Sequence, residues 1–106
     1  MPATWVEVPG AEAVAEGFVR TFVVDGFPLA IARTAGRLHA VEDRCSHDDG
    51  PLGEGRMEGF EVVCPRHGAR FDVRDGCATR MPAATPIPSV PVKEEGGKVF
   101  VDAGAL

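Results

Sequence analysis

An all-β fold is predicted for this 106-residue chain on three observations. Apolar residues gather in short β-branched and aromatic runs, of which Phe18-Val19-Arg20-Thr21-Phe22-Val23-Val24 is the clearest. Turn pairs such as Asp25-Gly26 follow those runs directly. Only Ala11 to Gly17 hints at helix, and it has room for at most one turn. Short strands punctuated by Gly and Pro imply a small antiparallel β-sandwich or barrel, with a Gly- and charge-rich sub-lobe inserted at approximately residues 43–81. A chain of this length suits one domain spanning 1–106.

The elements follow in order. Trp5-Val6-Glu7-Val8 alternates as a strand and stops at Pro9-Gly10. The run from Phe18 turns at Asp25-Gly26 into Phe27 to Arg33. Leu38 to Glu42 closes a second hairpin around Thr34-Ala35-Gly36-Arg37. Inside the sub-lobe, Phe60-Glu61-Val62-Val63 and Ala69-Arg70-Phe71-Asp72-Val73 read as short strands. Val90-Pro91-Val92 and Lys98-Val99-Phe100-Val101, joined through Glu95-Gly96-Gly97, complete the set, and Gly104-Ala105-Leu106 is expected to fray.

The formal net charge of −5 argues against nucleic acid as a partner and suits docking to a basic patch on another protein. No apolar run approaches the roughly 20 residues that span a bilayer. Met1-Pro2-Ala3-Thr4-Trp5 lacks the basic start and apolar stretch of a secretory signal, so the cytoplasm is expected and no membrane is.

Chemistry concentrates in two short pairs, Cys45-Ser46-His47 and Cys64-Pro65-Arg66-His67, with sixteen residues between them. Each offers one thiolate and one imidazole. The set could bind zinc tetrahedrally, or a two-iron cluster with both thiolates on one iron and both imidazoles on the other. Zinc fingers usually take their Cys pair from one element and their His pair from another. Here each loop gives Cys and then His, so two similar loops can face each other across a cluster, which favours iron. Gly50 and Gly68 are expected to allow tight turns just past each His, where backbone N–H groups can approach sulfur.

On these residues the chain resembles the Rieske ferredoxins, whose motif is Cys-x-His, a spacer of this size, and Cys-x-x-His. Phe71-Asp72, Asp75-Gly76 and Met81-Pro82-Ala83 look like that family's strand, turn and proline-bearing loop, so the likeness covers most of the chain. It implies one 2Fe-2S cluster, with Cys45, Cys64, His47 and His67 as ligands. It implies Leu52 and Phe71 screening one side of the cluster and the loop of Pro82 covering the other. The histidines would sit at an exposed tip, with Arg66, Asp48 and Asp49 as candidate docking charges beside it.

Mixed ligation bears on redox potential. Four thiolates would leave the oxidised site a dianion, whereas two thiolates and two neutral imidazoles leave it neutral and easier to reduce. Such centres span about −150 to +300 mV, against about −400 mV for all-cysteine plant-type ferredoxins. High-potential Rieske proteins add a disulfide and a hydroxyl donor to sulfur. By the family's spacing those places hold Gly50, Arg66 and Ala69 here, so a potential near about −150 mV is expected.

The resemblance implies a soluble one-electron carrier, monomeric, without substrate chemistry of its own. It would take electrons from a flavin reductase and pass them to a terminal oxygenase such as an aromatic-ring dioxygenase. The oxygenase role itself is excluded by counting, because a two-His-one-carboxylate iron site needs two further histidines and only His39 remains. An iron–sulfur redox sensor or assembly-linked protein, a permanent small subunit of a reductase, and a structural zinc domain are the alternatives. His39 is expected at a strand edge facing solvent or packed there, and Cys77 as an incidental thiol at a turn.

Overall fold

The computed structural model describes residues 3–46, 49–81, 83 and 85–106. Its strands are β1 (Trp5–Glu7), β2 (Val19–Val24), β3 (Phe27–Thr34), β4 (Arg37–Glu42), β5 (Arg56–Glu58), β6 (Glu61–Val63), β7 (Arg70–Asp72), β8 (Ala78–Arg80), β9 (Ser89–Val90), β10 (Val92–Glu95) and β11 (Lys98–Asp102). Among the described residues they form three antiparallel sheets, ordered β1-β11-β10, β2-β3-β4-β9 and β5-β6-β7-β8. The all-β prediction holds, and the third sheet lies within the expected sub-lobe.

The middle sheet is buried on both faces, as β3 makes plain. Successive side chains of a strand point to opposite faces. Leu29 and Ile31 enter one core with Val99 and Val101 of β11, while Ala30 and Ala32 enter the other with Val62, Phe71, Cys45 and Cys64. Small residues thus face the sub-lobe and bulky ones face the outer sheet. The hairpin turns use φ > 0 at both central residues: Asp25 and Gly26 at 50° and 81°, Ala35 and Gly36 at 53° and 76°. Pro91 separates β9 from β10, so one extended segment serves two sheets in succession. A proline cannot donate to a ladder, and the chain changes partners there.

Two points need correction. β5 and β8 were not foreseen: Arg56-Met57-Glu58 and Ala78-Thr79-Arg80 have weak strand propensity and are set by pairing with β6 and β7. The C-terminus does not fray. Residues Ala103–Ala105 form a 3₁₀ turn, Ala103 N donates to Thr4 O at 2.8 Å, and Leu106 packs against the core of the outer sheet. Asp102 Oδ1 adds to this by accepting from both Thr4 N and Gly104 N.

Candidate metal centre

The two ligand loops leave the ends of paired strands and are built to one plan. In the first, Cys45 N donates to Gly50 O at 2.8 Å, and Asp49 N donates back to Cys45 O at 2.7 Å. In the second, Cys64 N donates to Ala69 O at 2.8 Å, and Gly68 N donates to Cys64 O at 3.1 Å. Both frames therefore run from a Cys to the residues four and five places later. At the fourth place the backbone is left-handed in each, with φ of 62° at Asp49 and 75° at Gly68. The turn residue of the first loop is thus Asp49 rather than the expected Gly50, whose role is to accept from Cys45 N. Asp tolerates the left-handed region better than most side chains, which is the signal that could have found it.

These frames point both cysteines inward. Cys45 and Cys64 are 0% and 1% exposed and lie in one apolar core. That core also holds Leu52 and Phe71, the residues expected to screen the site, and both are fully buried. His67, by contrast, is exposed, as is Arg66 beside it. The expected ligand His47, the docking candidate Asp48 and the loop residue Pro82 lie outside the described residues. Next to Pro82, Ala83 is buried in the same core as the cysteines, and Ser46 Oγ donates to Thr85 O at 2.6 Å. Ala83 and Thr85 are thus held close to the first loop.

Charge around the loops is arranged in short pairs. Arg44 holds Glu42 at 2.6 Å and Asp49 at 2.9 Å, and the hydrogen bonds to Asp49 and Glu42 raise its pKa further. Arg70, just past the second loop, pairs with Glu61 at 3.2 Å and Glu58 at 3.1 Å. Those bonds raise the Arg70 pKa, Glu61 contributing most, while Arg56 and then Arg70 lower that of Glu58. Asp49 is exposed and bound into this pattern through Arg44.

Two remaining candidates lie elsewhere. His39 is half-buried, with its ring edge-on to Phe60 at 6.5 Å between centroids and 82° between planes. It lines a groove of about 680 Å³ with Arg37, Arg74 and Lys93, at the start of β4 and so at the opposite end of that strand from Cys45. Cys77 is exposed; its N donates to Asp75 Oδ1 at 2.9 Å, and the hydrogen bond of its thiol with Asp75 pushes the thiol pKa up. A raised pKa leaves less thiolate and suits an inert cysteine.

Two buried thiols on matched loops, one exposed imidazole, and a second imidazole in the motif suit a mixed-ligand two-iron cluster. Among the described residues no group of three His, Cys, Asp or Glu side chains converges as on a single ion. A two-iron cluster asks each iron for only two protein ligands, so the donor set fits it.

Comparison with known proteins agrees. The ferredoxin component of the p-cumate 2,3-dioxygenase system of Pseudomonas putida is 46% identical over 94 residues, covering 87% of this chain and 80% of its own length. The ferredoxin of carbazole 1,9a-dioxygenase from Nocardioides aromaticivorans IC177 superposes with a TM-score of 0.87 at 31% identity, covering 93% of this chain and 97% of that one. A ferredoxin-sized chain in a complex of reduced oxygenase and oxidised ferredoxin of carbazole 1,9a-dioxygenase gives 0.86 at 31%, covering 95% and 94%. Residues 4–91 match the Rieske [2Fe-2S] domain, and with a cluster-binding frame of this kind the chain belongs to the Rieske 2Fe-2S family.

Proposed function

We propose that the chain is the ferredoxin of an aromatic-ring dioxygenase system, with Cys45 and Cys64 holding one iron and His47 and His67 the other. The observation that carries this reading is the matched pair of loop frames, which buries both thiols in one core and leaves His67 at the surface. When bound, the cluster supplies a one-electron couple. The protein's part is to seat it: the cysteines anchor the inner side, Leu52 and Phe71 exclude water there, and the exposed imidazole gives a partner short access.

The carrier would accept electrons from a flavin reductase and deliver them to a terminal oxygenase, the kind of partner named for the carbazole ferredoxin. Docking would use the face around His67 and Arg66. Among the described residues no helix is long and apolar enough to cross a membrane. We read the carrier as cytoplasmic and monomeric, its formal net charge of −5 suiting solubility. We take residues 1–106 as one domain with a cluster-binding sub-lobe near 43–81, since one core joins the middle sheet to β5–β8.

Anaerobic purification tests the reading. A red-brown protein reduced catalytically by NADH and a flavin reductase is expected. A colourless zinc protein would refute the cluster, and a tight, stoichiometric complex with the reductase would favour a permanent subunit over a carrier.

A further inference from the structure

Asp43 stands at the end of β4, two residues before Cys45, and is only 6% exposed. Its N donates to Pro28 O at 3.0 Å, which fixes it beside β3. Its carboxylate reaches two further places at once. Oδ1 accepts from Gly53 N at 2.6 Å, and Oδ2 accepts from Thr21 Oγ1 at 2.7 Å. One side chain thus joins the two ends of the segment 43–53, which contains the whole first ligand loop, and fastens both to β2. The Cys45–Gly50 and Asp49–Cys45 bonds sit nested inside that closure. A Cβ on Gly53 would run into the Thr21 side chain and backbone, so the close approach needs glycine there. Both donors are neutral, so they satisfy the carboxylate oxygens without cancelling its charge.

We infer that Asp43 is a positioning residue for the cluster, closing the base of the first ligand loop and holding a negative charge beside the site that an arriving electron must enter. The inference rests on the reading of Cys45 as a ligand. A buried charge acts through a lower dielectric than water, so its repulsion of an added electron is felt strongly at short range. The direction follows: the carboxylate lowers the reduction potential.

The experiment compares two variants of the cluster-loaded protein. Asp43→Asn keeps the shape and an oxygen for Gly53 N–H but removes the charge, whereas Asp43→Ala removes both. Asp43→Asn should retain the wild-type visible spectrum and cluster content, with a potential shifted upward in a redox titration. Asp43→Ala should bleach several-fold faster in air. An Asn variant titrating at the wild-type potential overturns the electrostatic role, and an Ala variant bleaching at the wild-type rate overturns the closure. The wild-type spectrum, recorded first, tests the ligand reading separately, and a protein without a Rieske spectrum sinks both.

Discussion

Asp49 and Gly68 hold the same place in their two loops, each donating its N–H to the carbonyl of the cysteine four residues earlier with φ near +60 to +75°. The two loops therefore share this hydrogen-bond frame and its left-handed residue although their sequences differ. The equivalence makes Gly68 a backbone requirement and Asp49 a tolerated substitute for it.

A Cβ at Gly68 would meet nothing within 4 Å, so replacing it tests backbone strain alone. Gly68→Ala should destabilise the loaded protein by about 1 kcal/mol. Gly68→Val should cost more, because a β-branched residue is a poor fit to the left-handed region. Gly68→Asn should cost less, following the precedent of Asp49. Thermal bleaching midpoints of the three variants check the order, and an Asn variant as weak as Val would break the analogy.

Gly76 is constrained by space as well as by backbone. Its φ is 81°, its O accepts from Ile87 N at 2.9 Å, and an added Cβ would overlap Ile87 O. This contact brings the β7–β8 turn against Ile87, in the segment that leads into β9. Gly76→Ala should lose about 3 kcal/mol, from strain and overlap together. Chemical denaturation gives the value, and a change below about 1 kcal/mol would mean that the turn readily moves aside.

The sequence made some of this legible for physical reasons that differ from place to place. Cys45, Cys64 and His67 could be singled out as the proposed ligands because metal ligation demands particular side chains at particular spacings. Asp25-Gly26 could be found because a two-residue hairpin demands positive φ. Asp49 escaped because Gly50, its neighbour, is the more familiar turn residue, and only the hydrogen-bond frame distinguishes them. β5 and β8 escaped because Met57 and Ala78 gain their strand conformation from neighbours rather than from propensity. Asp43 could not be singled out among sixteen acidic residues, since its partners Thr21 and Gly53 are distant in sequence.

Ligand substitution gives the sharpest test of the site assignment. His67→Cys exchanges a neutral donor for a thiolate and adds one negative charge to the cluster. The variant should either fail to hold the cluster or titrate at a potential well below the wild type, toward the all-cysteine value of about −400 mV. The wild type itself should titrate near about −150 mV, since Gly50, Arg66 and Ala69 offer neither disulfide nor hydroxyl. An unchanged spectrum and potential in His67→Cys would remove His67 from the ligand set.

His39 should make stability depend on pH at a distance from the cluster. Burial is the main cause that lowers its pKa below the usual 6.5, with Arg74 and Arg37 adding to the effect and Asp72 opposing it. The folded protein therefore binds that proton less readily than the unfolded chain does. Above pH 6.5 both states are neutral at this residue and its contribution is fully present. As pH falls below 6.5 toward the lower folded value, the unfolded chain takes up the proton first and stability declines. His39→Gln should remove that part of the decline. The check is the difference in thermal midpoint between about pH 7.5 and about pH 5.5, measured for both proteins. A smaller difference in His39→Gln is expected, and equal differences would show that burial at this site does not disfavour the protonated ring.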